Sequence, residues 1–477
     1  MTGRVMTGRV TREGRRSVFG TAAAASALLL ICAACTSGGA GDDGAVPPPQ
    51  GASGPAATHR VLRVATASDV SVGPVRERLI EAWDKSRDDY TVEIVKLPVA
   101  ADGVRSQLVA ALQSGSADYD VVNIDVAWTA EFAAGGLIRP LAGGLPDDMW
   151  PRVAETARYD GRTWAVPFNT DAGLLYYRTD IWKDRNWRPP STWGALELDV
   201  INATTPDRAE KLFEDGYITQ LGPYEGLTVN AQEAVWARGG ELVNSEGEVT
   251  AASAEVQNGL ADLYRQYESI MPKGLARNAD EHDSMVAFRD GKVPFMRNWP
   301  YVYNLLDARG SKVRHRFGVA PLPGRGDGKA GVSVLGGQNL AITANSEQEE
   351  ARAARELLDY LTRPEQQRCL LEYGFAPVLK SSYDPSGTVA CSLPEDGGGS
   401  GEEQRAGPEH GKNGLPPYAA PLRRALETAR PRPVTPYYAA FTELVQTEVH
   451  GLLTDGTDQE TVATELSRRL RPVMKGG

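Results

Sequence analysis

From Val61 onward the chain alternates between two hydrophobic periods, and that alternation narrows its fold more than any other feature. "VLRVAT" has the apolar rhythm of a strand, whereas "PVRERLIEAWDK" places Val75, Leu79, Ala82 and Trp83 on one helical face. "TVEIVKL" reads as a second strand, "GVRSQLVAALQSG" as a helix stopped by Gly115, "YDVVNID" as a third strand and "VAWTAEFAAGG" as a short helix. Strands separated by a helix and short connections pair in parallel, with helices on both faces of the sheet. Ligands of such doubly wound sheets sit beyond the carboxyl ends of the strands. Ser68-Asp69 and Asp125 are the polar positions that land there.

The 477 residues exceed one ordinary core, so two lobes are expected. After Phe168 the pattern is mainly helical. "NAQEAVWARGG" suggests a helix capped by Asn230 and stopped by Gly239. "SAEVQNGLADLYRQYESI" buries Val256, Leu260, Leu263, Tyr264 and Tyr267 on one stripe. The strand-like "KVPFMRNW", "RFGVAPLP" and "GVSVLGGQNLAIT" follow, and then "TRPEQQRCLLEYG", with Thr362 as its expected N-cap. Residues 393–417 have the composition of a flexible loop, and two more helical patterns close the chain.

The beginning reads as processing sequence. Arg15 and Arg16 precede the apolar run "TAAAASALLLICAAC", which is too short to span a bilayer and carries the basic flank of a signal peptide. Either a general or a twin-arginine export signal fits, and "MTGRVMTGRV" leaves Met1 and Met6 as alternative starts. "CAAC" resembles a bacterial lipobox, with Ala34 before Cys35, the expected lipidation point of residues 1–35. Residues 36–60 are rich in Gly, Ser and Pro and are expected to form a tether. The expectation is export and a lipid anchor at the outer face of the cell membrane. There Cys369 and Cys391 can form a disulfide; the alternative is two buried thiols.

A net charge of −11 argues against nucleic acid or an anionic bilayer as the main partner. Catalytic and metal patterns are poor. His59, His282, His315, His410 and His450 form no i, i+4 pair, no Gly-x-Ser-x-Gly elbow occurs, and "GRGDGKAG" has Ala330 where a phosphate loop needs Ser or Thr. No catalytic residue, metal ligand or cofactor is assigned.

Binding patterns are richer. "NTDAG" is a polar patch between two buried-type strands, "WAVPF" and "GLLYYR". The blocks "PFNTDAGLLYYRTDIW", "YEGLTVNAQEAVWARGG", "FMRNWPYVYNLL" and "LGGQNLAIT" resemble, in order, those of the extracellular solute-binding proteins of carbohydrate ABC importers, nearest to the maltose/trehalose-binding branch. The resemblance spans roughly residues 62–471. It implies an α/β, periplasmic-binding-protein-like fold, with two doubly wound lobes joined by several crossing segments and a ligand cleft between them. The expected division is 61–168 and 297–335 in the first lobe, 169–296 and 336–477 in the second, with "NTDAG" as the crossing.

Sugar hydroxyls need carboxylates and amides, and the apolar faces of a pyranose need flat rings. Asp69, Asp125, Asn169 and Asp171 suit the first role. Trp299 and Tyr301 match the family's cleft aromatics, and Gly336 and Gly337 permit close backbone approach. Gln338 stands where the branch usually has Trp, which trades a stacking surface for an amide. Trp128 reads as core, and Tyr224 and Glu225 as a family block or the brace of a helix start. The implied function is capture of an α-glucoside-type di- or oligosaccharide by a monomer that closes about its hinge and delivers the sugar to a membrane permease. An extracellular glycosidase and a module feeding a sensor receptor are the alternatives.

Overall fold

The computed structural model describes residues 60–182, 187–204, 213, 215–326, 331–386, 389–393 and 414–476. The expected signal segment, Cys35, residues 36–59 of the tether and residues 394–413 of the expected loop lie outside the described residues. The described residues all fall within one contact unit, Gly44–Gly477.

The first third folds as the alternation requires. Strand β1 (Arg60–Ala67) is followed by α1 (Val75–Asp84), β2 (Tyr90–Leu97), α2 (Ala101–Gln113), β3 (Val121–Asp125) and α3 (Thr129–Ala134). β1 pairs in parallel with β2 and with β3. After α4 (Pro151–Thr156) and a small hairpin of β4 (Arg158–Tyr159) and β5 (Arg162–Thr163), β6 (Val166–Ala172) occupies the far edge of the same sheet. Side-chain alternation sorts the core. Leu62, Val64 and Val121 pack on one face with α1, while Ala65, Val122 and Ile124 pack on the other with Leu108 of α2 and Phe132 of α3.

One residue, Gly173, separates β6 from β7 (Leu174–Arg178), which already belongs to a second sheet. The chain then forms α5 (Trp193–Thr204), β8 (Tyr217–Ile218), α6 (Glu225–Ala237), α7 (Ala254–Ile270), α8 (Lys273–Ala276), α9 (Glu281–Arg289), β9 (Phe295–Asn298), α10 (Val302–Asp307) and β10 (Phe317–Pro321). The second sheet has the order β10-β7-β9-β8. Leu174, Tyr176 and Met296 face Phe288 of α9 and Leu306 of α10, and Leu175 and Phe295 face the opposite core with α6 and α7.

The return differs from the expected division. The expectation places residues 297–335 in the first lobe, yet β9 and β10 both pair with β7 in the second sheet. The return is made by β11 (Leu335–Ile342), which inserts between β3 and β6 and runs antiparallel to both. The reason is geometric: a segment arriving from the other lobe enters at the carboxyl ends of β3 and β6 and must run against them. "NTDAG" is likewise not a free crossing, since Asn169 to Ala172 finish β6 and only Gly173 lies between the sheets. Helices α11 (Gln348–Leu361) and α12 (Pro364–Glu372) then pack on the first sheet, with Leu357, Leu358 and Leu370 in its core. The division at 336–477 therefore fails at its start, and only later does the chain return to the second core. There α13 (Ala419–Thr428) contributes Leu422, and α14 (Tyr438–Asp455) packs on α6, followed by α15 (Gln459–Lys475).

The Cys369–Cys391 disulfide is formed, with Cα atoms 4.5 Å apart. Two expected caps move. α6 starts at Glu225, so Asn230 is interior, donating to the carbonyls of Gln220 and Gly226 at 2.9 and 2.8 Å. Thr362 ends α11 instead of capping α12, because its hydroxyl donates back to Leu358 and Asp359.

Candidate functional site

The carboxyl ends of β3 and β6 and the amino end of β11 form one edge. In register across it stand Asp125, Gln338 and Asn169, with Asp171 opposite Gly336. The second sheet abuts this edge through Leu174, which pairs with Asn298, and Trp299 follows at once. A Cβ placed on Gly336 would lie 3.2 Å from the Cβ of Asp171 and 3.2 Å from the Trp299 ring. Asp171 from the first sheet and Trp299 from the second thus face one space, and Gly336 leaves it open.

Polar atoms without partners gather here. Asn169 is 1% exposed, and its Oδ1 receives no hydrogen bond, nor does Oδ1 of Asp171 or Oδ1 of Asn123. Asn169 Nδ2 makes a long contact of 3.4 Å to Asp171 Oδ2. A buried acceptor left unpaired costs roughly 1–3 kcal/mol, so these atoms suit donors from outside the chain, either water or a ligand hydroxyl. Burial pushes the Asp171 carboxyl up to about 8; Asp125 adds to the rise, and Arg76 and Arg297 oppose it.

Three arginines bound the space, each held by a carboxylate. Arg76, on α1, is fixed by Asp69, whose side chain is 1% exposed and also accepts from Ser71. Asp69 therefore braces Arg76 and has no surface left for a ligand. Arg76 in turn reaches Gln338 Oε1, which also accepts from Asn123 at 2.9 Å. The amide that replaces the expected ring is thus tied into the first sheet. Arg432 donates to Asp125 and to Glu225, each at 2.6 Å, so this bridge joins the first sheet's edge to the start of α6. Burial raises the Glu225 carboxyl, against the pull of Arg432, and Tyr438 and Thr442 also bind it. Arg297 is paired to Glu233 and lies 3.9 Å from the centre of the Trp299 ring.

The second sheet supplies the aromatic wall. Trp299 Nε1 donates to Glu281 at 3.2 Å, and Glu281 also accepts from the Tyr224 hydroxyl at 2.8 Å. Glu281 opens α9, whose cap is Asp280 with Asp283. Burial first, then the charges of Glu281, Asp280 and Asp171, raise the Tyr301 hydroxyl well above its ordinary pKa. Neither Asp171 nor Glu281 has an ion-pair partner among the described residues. Gly337, at φ 118°, serves the fold instead: a Cβ there would lie 2.4 Å from the Asn169 carbonyl. Trp128 is core, stacked on Phe132.

Sequence reasoning thus finds Asp125, Asn169, Asp171, Trp299 and Gly336 together, with Tyr301 nearby. It misses Arg76, Arg297, Arg432 and Glu281, which no local pattern marks. Among the described residues no group of three or more His, Cys, Asp or Glu could hold a metal ion. A separate surface pocket of about 690 Å³, lined by Asp147, Asp148, Arg355 and Asp359 among others, contains none of the site residues. It lacks any cluster of unpaired buried acceptors like that between the sheets.

The two sheets meet at an edge where several buried acceptors have no partner. Residues 78–391 match the sequence profile of the bacterial extracellular solute-binding proteins, and the chain belongs to that family. It is a binding protein, not an enzyme, which removes the glycosidase alternative, and its family places it outside the cytoplasm. A probable ABC transporter-binding protein of Deinococcus radiodurans is 30% identical over 310 residues, covering 64% of this chain and 72% of that protein. A mannitol-binding protein of Pseudomonas aeruginosa is 26% identical over 290 residues, covering 58% and 64%. The structure of maltose-bound T. maritima MalE3 superposes with a TM-score of 0.73 at 28% identity, covering 86% of this chain and 99% of that one.

Proposed function

We propose that this chain captures a neutral carbohydrate, an α-glucoside-type di- or oligosaccharide, between its two sheets and delivers it to the permease of an ABC importer. The observation that carries the reading is the pair of unpartnered acceptors on Asn169 and Asp171, with Gly336 lying between Asp171 and the Trp299 ring. Hydroxyl groups satisfy the acceptors, and an apolar sugar face covers the ring. The similarity to a maltose-bound protein supports the size and class of the ligand. Glu281 has no ion-pair partner among the described residues, and Arg76, Arg297 and Arg432 are each already held by a carboxylate, so none of these cations is left for an anionic ligand. Ligand bound to both lobes stabilises the closed arrangement by its difference in affinity for the two forms, and a permease reads that arrangement.

The test is a thermal-shift panel of maltose, trehalose, maltotriose, mannitol, glucuronate and glucose 6-phosphate on the chain from residue 60. A native-state ligand at a hundred times its Kd adds about 2.7 kcal/mol of stability. Maltose, trehalose or maltotriose is expected to raise the melting temperature, and the two anions are not. A shift with glucose 6-phosphate alone would overturn the reading. Anchoring through Cys35 belongs to the same proposal. It expects detergent-phase partitioning of the full chain that Cys35→Ala abolishes; partitioning that survives the change would refute the anchor.

A further inference from the structure

We infer that the buried pair Glu233–Arg297 is a positioning device: it sets the face of Trp299 and locks two of the segments that cross between the lobes to the second sheet. The inference rests on the reading of Trp299 as a ligand-contacting ring, and goes beyond it by naming residues that touch no ligand.

The geometry converges on one carboxylate. Arg297, 1% exposed, gives Nη2 and Nε to Glu233 at 2.7 and 3.1 Å, a bidentate fork, and Nη1 to Gln220 at 3.2 Å. Its guanidinium carbon, Cζ, sits over the Trp299 ring, 3.9 Å from the ring centre. One face of the indole is thereby occupied by a cation, and the edge of the six-membered ring lies toward Gly336. Glu233 Oε1 also accepts from Val334 N at 3.0 Å and Ser333 Oγ at 3.2 Å. Ser333 Oγ in turn accepts from Gly173 N at 2.6 Å.

Gly173 is the first crossing, and Ser333-Val334 the second. A third segment is laced to the second, since Leu335 N donates to Arg430 O at 2.7 Å and Arg430 N to Ser333 O at 2.9 Å. Both crossings are therefore fastened to α6, in the second lobe, through the carboxylate that also orients the Arg297–Trp299 stack. Ring orientation and crossing geometry are one mechanical unit.

The experiment uses the chain from residue 60 with 5-fluorotryptophan at all nine tryptophans and Arg297→Lys as the main variant. Lysine keeps the charge beside Glu233 but loses the flat fork. The fluorine resonance of Trp299, assigned by its loss in Trp299→Phe, is expected to shift and broaden in ligand-free R297K, while the other eight stay in place. With maltose as probe, R297K is expected to lower affinity about tenfold in the native background and less than twofold in a Trp299→Ala background. An unmoved Trp299 resonance, or an equal loss in both backgrounds, would overturn the inference. If R297K does not fold, Glu233→Gln, which keeps the acceptor for Ser333 and Val334, is read by the same criteria. Failure of the functional reading is distinct: Trp299→Ala would then leave maltose affinity unchanged, while the fluorine measurement would still decide the positioning role.

Discussion

Asp171 holds a proton near neutral pH that an unfolded chain would release. Its carboxyl is pushed up to about 8, chiefly by burial, whereas an unfolded chain leaves it near 3.8. Between those values the native protein holds a proton that the unfolded chain has released. Its stability therefore falls as pH rises from about 4 to about 8, and the term levels off above that. Asp171→Asn removes the term without changing the volume. The melting temperature of this variant is expected to exceed that of the native chain at pH 9 and to approach it at pH 5; identical pH profiles would contradict the assignment. At this scale the sequence was partly legible. Asp171 stood out because a polar patch interrupts buried-type strands, and Trp299 because its block resembles the family's cleft aromatics. Arg76, Arg297 and Arg432 did not, because an arginine on a helix or strand looks the same whether its carboxylate lies in solvent or across a cleft. Asp69 was over-read for the converse reason: a strand-end carboxylate can as well hold a neighbouring helix.

At the scale of elements, the strands and helices of the first third were readable because their periods differ and short connections leave one pairing. The return strand was not. β11 looks like any alternating run, and only the arrival of the chain from the second lobe decides that it inserts between β3 and β6. Gly173 shows how tightly that junction is built. A Cβ there would lie 2.6 Å from Arg297 Nη2 and 2.9 Å from its Cζ, and Arg297 cannot yield without leaving Glu233. Gly173→Ala is expected to destabilise the fold by about 1–3 kcal/mol, as overpacking does. Urea unfolding measures it, with Gly144→Ala as the control because that position opens on free space. A loss equal to the control's would show that the junction has slack.

Across the whole molecule, two sheets are sewn together by a one-residue turn, a pair of laced segments and the Asp125–Arg432–Glu225 bridge. The cores on either side are continuous and well filled, yet the space between them keeps buried acceptors without donors. Three buried acceptors grouped at one sheet edge, on Asn123, Asn169 and Asp171, suit a hydroxyl-rich guest. The direct measurement is calorimetric titration of Asp171→Ala with whichever neutral sugar stabilises the native chain. The account expects at least a tenfold loss of affinity, about 1.4 kcal/mol, with unfolding still cooperative. Affinity retained within twofold would place the sugar somewhere other than this cleft.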